Sequence, residues 1–150
     1  MVLYPNKLPE SERVCSGICI SPAEKKRLPA NVVGIARTEN IHQLAALYSA
    51  ADALVNPTWQ DNYPTVNLEA IACGTPVVTY QTGGSVEAVT EDTGFVVRQG
   101  DVDGLLKAFR TIVHRGKTYY EKRCRTYAQA HFRKEDRYQD YLDLYNRLIK

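Results

Sequence analysis

Asp61-Asn62-Tyr63-Pro64-Thr65-Val66-Asn67-Leu68-Glu69-Ala70-Ile71-Ala72-Cys73-Gly74-Thr75-Pro76-Val77-Val78 reads as loop, helix, sharp turn and buried strand. Proline presets φ and tolerates the first helical position, so Pro64 is expected to open the helix. Val66, Ala70 and Cys73 fall at helical spacing, as do Leu68, Ile71 and Ala72, which predicts two adjoining apolar faces and a buried helix. Gly74 suits a left-handed residue just past the helix end, and Pro76 forbids continuation. Val77-Val78 begins a buried strand. Glu69 does not fit. It shares a face with Thr65 and Val66, and a buried carboxylate is costly unless paired. Either it caps local amides, or it works with the free N–H groups of the helix start, which attract anions. Amides above a carboxylate suit a ligand with phosphates at one end and hydroxyls at the other.

Strands and helices alternate on both sides of this stretch. Upstream, residues 14–20 read as a strand, and Ser21-Pro22 opens a short helix through Arg27. Residues 31–36 form the next strand, and residues 37–40 its loop. Ile41, Leu44, Ala45, Leu47 and Tyr48 then mark an amphipathic helix, with His42 in its first turn as a structural rather than catalytic residue. Residues 53–57 give a short strand that leads into Asp61. Downstream, the strand that starts at Val77 ends in Gly83-Gly84, where paired glycines permit positive φ and close backbone approach to a ligand. Ser85 is expected to cap a short helix carrying Glu87. Residues 93–97 form the last strand, at or near the sheet edge. Asp101 caps a helix marked by Val102, Leu105, Leu106, Phe109, Ile112 and Val113, and residues 117–132 and 134–149 give two more. The fold class is therefore α/β: a parallel, Rossmann-like sheet flanked by helices, with a helical extension over 101–150. Residues 1–12 are read as irregular.

Length allows one ordinary domain with a real core in 150 residues. A net charge of +2 is too small to argue for nucleic acid. No run is long enough to span a membrane. Cys15, Cys19, Cys73 and Cys124 match no zinc spacing and read as reduced, cytosolic thiols. Residues 101–150 hold 12 Lys/Arg against 7 Asp/Glu, among them Lys122, Arg123, Arg125, Arg133 and Lys134. They form a solvated face or a patch for anionic headgroups. Tyr119, Tyr120, Tyr127, Tyr138, Tyr141 and Tyr145 are read as packing residues.

An acid at Asp61, the glutamate Glu69 eight positions on, Ala70-Ile71-Ala72-Cys73-Gly74-Thr75-Pro76-Val77-Val78 and Gly83-Gly84-Ser85-Val86-Glu87 together resemble the nucleotide-sugar half of retaining GT-B glycosyltransferases. The nearest likeness is to bacterial family 4 enzymes of polysaccharide biosynthesis, over residues 28–148. The first acid of the pair is usually Glu, and here it is Asp. The resemblance implies that 1–150 is one nucleotide-sugar-binding domain, with the N-terminal acceptor domain absent. It implies transfer of a hexose from a nucleotide diphosphate sugar to a saccharide or lipid-linked acceptor. Asp61 and Glu69 are then the catalytic pair, Glu69 on the ribose and Asp61 nearer the transferred sugar. Donor contacts fall on Arg37, Asn62, Tyr63, Pro64, Thr65, Val66, Glu69, Gly83 and Gly84. Arg37 lies near the base or phosphates, or is a plain surface arginine. No cofactor or metal is expected, since amides and cations neutralise the leaving diphosphate. The family's Arg and Lys that hold the diphosphate have no match in residues 1–20. The alternative is a non-catalytic sugar-nucleotide binding module whose N-terminal half lies on another chain. Either form is expected in the cytoplasm, with a peripheral membrane contact as the further option. A Rossmann oxidoreductase is disfavoured, because no Gly-x-Gly-x-x-Gly follows the first strand.

Overall fold

The computed structural model describes residues 14–17, 21–29, 32–35 and 37–149, which fall into two compact units divided between Leu47 and Tyr48. The class is α/β, as expected, with parallel strands and flanking helices. In the first unit, β1 (Val14–Gly17) pairs in parallel with β2 (Val32–Ile35), and α1 (Pro22–Lys25) lies between them in sequence. The expected strand ends at 18–20, 31 and 36, and the Cys15 and Cys19 thiols, lie outside the described residues. α1 stops at Lys25, two residues short of its expected end. α2 (Ile41–Ala50) leads from the first unit into the second.

The second unit is built on β3 (Leu54–Asn56), β4 (Val77–Tyr80) and β5 (Gly94–Val97), all parallel in the order β3-β4-β5. β4 is central and buried along its whole length, which is why Val77 and Val78 run together without alternation. β5 ends this three-stranded order, where the sequence placed it. Buried threonines fasten the layers. Thr79 Oγ1 donates to the Asn56 carbonyl at 3.0 Å, Thr82 Oγ1 to that of Thr58 at 3.1 Å, and Thr75 Oγ1 to that of Tyr48. Each of these three hydroxyls is thus satisfied by a backbone acceptor.

The helix α3 (Thr65–Ala72) begins one residue later than expected: Pro64 is its N-cap, with φ −68° and ψ 109°. Its end agrees with the sequence. Gly74 has φ 84°, and the bonds Gly74 N–H to Ile71 and Thr75 N–H to Ala70 make a Schellman motif. The buried row of α3 is Asn67, Ala70 and Ile71, narrower than the two apolar faces expected. Ala72 is exposed, and Val66, Leu68 and Cys73 are half-buried. α4 (Val102–Arg115) is capped by Asp101, whose Oδ1 accepts from the Gly104 N–H at 2.8 Å. It buries Leu105, Leu106, Ala108 and Ile112. α5 (Lys117–His131) packs on α3 and buries Tyr120, Cys124 and Ala128. Cys73 and Cys124 are free thiols, and burial pushes that of Cys124 up to about 12.

The last helix, α6 (Lys134–Leu148), buries nothing. The reading of the tyrosines as packing residues therefore holds for Tyr120 and in part for Tyr127, but fails for Tyr138, Tyr141 and Tyr145, which are exposed. Every residue of their helix is exposed. In the basic segment, Arg123 pairs with Asp92 at 3.3 Å and Arg125 with Glu121 at 3.0 Å. Both pairs are solvent-exposed and contribute little.

Candidate functional site

The loops that follow β3, β4 and β5 leave the same end of a parallel sheet, the end at which open α/β sheets hold ligands. Asp61 to Pro64 lie on the first of these loops and Gly83-Gly84 on the second. The structure brings them together by backbone contact. Gly84 N–H donates to the Asp61 carbonyl at 3.2 Å. A Cβ on Gly83 would stand 2.2 Å from that same oxygen, and one on Gly84 would stand 1.9 Å from the Asn62 carbonyl. Both positions therefore require glycine, and Gly83 has φ 44° besides. Chain packs there against chain, so the close approach inferred from the sequence is made first to the Asp61–Asn62 backbone.

Gly83–Val86 forms a short 3-10 turn with Thr82 as N-cap and Glu87 at its exposed end. The expected Ser85 cap is not there. Ser85 lies inside the turn, fully buried, and its Oγ has no hydrogen-bond partner among the described residues. Its position is fixed by its carbonyl, which accepts from Asn67 Nδ2 at 3.3 Å. Asn67 Oδ1 accepts in turn from Asn56 Nδ2 at 3.0 Å. This buried amide joins β3, α3 and the glycine turn. The sequence reading missed it, although its spacing from Ala70 and Ile71 puts it on their row.

Asp61 is half-buried, and its Oδ1 accepts from the Tyr63 N–H at 3.1 Å, an Asx turn that shapes the approach to α3. Asn62, Tyr63 and Thr65 are exposed, Pro64 is buried, and Val66 lies between. Burial pushes the Tyr63 phenol up, and the Glu87 carboxylate adds to it. No side chain caps α3. Among the described residues no acceptor meets the N–H groups of Thr65 and Val66, so they keep the partial positive charge of a helix start.

Glu69 lies just over a turn further along α3, half-buried. It caps no amide. Its Oε2 accepts from the Tyr48 hydroxyl at 3.0 Å. Burial raises the Tyr48 pKa far above that of an ordinary phenol, and the charge and hydrogen bond of Glu69 raise it further. Tyr48 thus stays protonated and donates, and a carboxylate so held keeps acceptor capacity on Oε1. No signal in the sequence pointed to this partner, which comes from α2. Arg37 is exposed, just past β2 in the first unit.

An uncapped helix start, a carboxylate beneath it and a glycine turn locked to the preceding acid are thus present at one sheet end. Residues 20–131 match the glycosyl transferases group 1 family. The chain belongs to that family.

Among glycosyltransferases, the D-inositol 3-phosphate glycosyltransferase of Salinispora arenicola is 46% identical over 57 residues, 38% of this chain and 13% of that enzyme. The solved sucrose-phosphate synthase of Thermosynechococcus elongatus aligns with a TM-score of 0.74 at 30% identity, over 85% of this chain and 32% of that one. Anabaena Alr3699/HepE, solved in complex with UDP, aligns with a TM-score of 0.70 at 23% identity, over 83% of this chain and 35% of that one, and shows the shared fold. The chain thus spans about a third of either solved protein.

Proposed function

We propose that this glycosyltransferase chain is the donor-binding half of a retaining, family 4 type enzyme that transfers a hexose from a nucleotide diphosphate sugar to a saccharide or lipid-linked acceptor. The observation that carries the reading is Glu69, held by Tyr48 beneath the uncapped start of α3. Its free oxygen accepts from the ribose hydroxyls. The Thr65 and Val66 N–H groups meet the diphosphate, which the positive end of the helix favours. Asp61 serves the transferred sugar and stabilises positive charge that develops at its anomeric carbon. As the bond from that carbon to the diphosphate breaks, the acceptor hydroxyl forms the new one and passes its proton to the leaving phosphate oxygen. The helix amides then stabilise the leaving diphosphate where its charge grows.

Calorimetric titration of UDP, ADP and GDP, each with its hexose conjugate, tests the proposal. Binding of one nucleotide series is expected, unchanged by a chelator, and weakened tenfold or more by Glu69→Ala, since a hydrogen bond to a charged group is worth about 1.5–3 kcal/mol. Equal binding by parent and a folded Glu69→Ala variant would reduce Glu69 to a structural partner of Tyr48.

A further inference from the structure

Trp59 stands two residues before Asp61, in the loop that leaves β3 at the site end of the sheet, and it is 66% exposed. Scattered exposed apolar residues are ordinary and need no explanation. This one is held in place. Its ring meets Tyr80, itself buried, edge-on at 6.2 Å and 71°. Its carbonyl accepts from Gln99 Nε2 at 3.0 Å. Gly100, with φ 81°, lies so close that a Cβ there would be 3.7 Å from the Cη2 of the indole. Supports from two neighbouring strand ends therefore order an indole that stays mostly in water. Exposed carboxamides flank it, Gln60 next in sequence, Asn62 three residues on and Gln99 through its hydrogen bond.

We propose that Trp59 is a stacking platform for a pyranose ring. One face of a pyranose carries C–H groups and is apolar, whereas its rim carries hydroxyls. The negative face of an indole suits the former. Neutral carboxamides, each with donors and an acceptor, suit the latter. The ring comes either from the hexose of a donor or from an acceptor saccharide. The placement of that ring beside the donor rests on the proposed function above, but the binding of a free saccharide does not.

Trp59 is the single tryptophan of the chain, so its intrinsic fluorescence reports on this position alone. The chain is titrated with maltotriose, cellobiose, lactose and mannobiose, and separately with UDP, ADP and GDP against their hexose conjugates. A shift or quench with a free saccharide assigns an acceptor ring; one with a hexose conjugate but not with its bare nucleotide assigns the donor ring. By calorimetry, Trp59→Ala is expected to lose that sugar-dependent affinity about tenfold, as stacking losses on aromatic side chains typically amount to. Trp59→Phe should recover part of it, and neither variant should alter the affinity for bare nucleotide or the melting temperature. The proposal is overturned if no sugar in either arm changes the fluorescence. It is equally overturned if bare nucleotide gives the same change as its conjugate, or if Trp59→Ala binds sugar as the parent does. Should the parent bind no nucleotide at all, the donor reading falls and the free-saccharide arm still decides the platform.

Discussion

A carboxylate that serves a ligand must be kept in place without being used up. Glu69 meets this condition by accepting one hydrogen bond from Tyr48 on Oε2, while no described residue bonds its Oε1. The arrangement has a pH signature. The folded-state pKa of Tyr48 lies above its unfolded value, so its contribution is fully present below the ordinary phenol pKa and is lost as pH rises through the folded one. Stability is therefore expected to fall from about pH 10 upward, and Tyr48→Phe should flatten part of that fall while lowering stability at neutral pH by about 1–2 kcal/mol. Urea midpoints across the alkaline range measure both effects, and an identical pH profile for the variant would deny the coupling. Asp61, proposed to serve the transferred sugar, also shapes the loop through the Tyr63 N–H. Removal to Ala thus confounds folding with sugar recognition. Asp61→Asn keeps an oxygen for that bond and removes the charge. It should leave stability within about 0.5 kcal/mol and keep the affinity for bare nucleotide diphosphate, losing only the increment that the sugar adds. If the ratio of nucleotide-sugar to nucleotide affinity is unchanged, Asp61 does not act on the sugar.

Between elements, the decisive contact is the one that joins the Gly83–Val86 turn to the Asp61–Asn62 backbone. Neither side is a flexible side chain able to swing away, so a methyl group there can be admitted only by parting the two loops. Gly83→Ala and Gly84→Ala are each expected to destabilise by about 1–3 kcal/mol, the range for overpacking and backbone strain, and to weaken donor binding. Gly116→Ala is the control: φ there is 81° but the surrounding space is open, so only the backbone cost of about 1 kcal/mol remains. Chemical denaturation of the three variants ranks them, and a Gly84→Ala as stable as Gly116→Ala would show that the loops are not locked. These elements also mark what the sequence could convey. Strand–helix alternation, the Asp101 cap and the Gly74 terminus are local matters of spacing and turn chemistry, and they agree with the structure. Asp61 and Gly83-Gly84 were placed at one sheet end because parallel strands leave that end in register. The Glu69–Tyr48 and Asn67–Ser85 bonds join residues 21 and 18 positions apart, and no local pattern encodes such pairings. Ser85 was misjudged because a serine before a short helix looks like a cap, whereas close packing of the glycines draws it inside.

For the whole molecule, the burial of α6 differs from that of every other long helix. Its residues Tyr138, Tyr141, Leu142, Tyr145 and Leu148 recur at helical spacing, the pattern of a face that packs. Such a pattern tells that a face is apolar and not what covers it, and the expectation that these tyrosines pack is not met. In this chain Tyr138, Tyr141 and Tyr145 are 63%, 62% and 58% exposed. The core lies between β4, α3, α4 and α5, whose buried side chains are closed over without α6. Helical propensity alone barely sustains 15 residues in water, so α6 draws little stability from the rest and gives little to it. Ending the chain after Arg133 is therefore expected to leave the melting temperature and the nucleotide affinity as they were, since tolerance to truncation follows burial. The apolar stripe leaves with the helix, so binding of a hydrophobic dye should drop at the same time. Calorimetric melting and dye fluorescence of the shortened chain check the two effects together. A large loss of melting temperature would place α6 in the folded core, and unchanged dye binding would put the exposed apolar surface elsewhere.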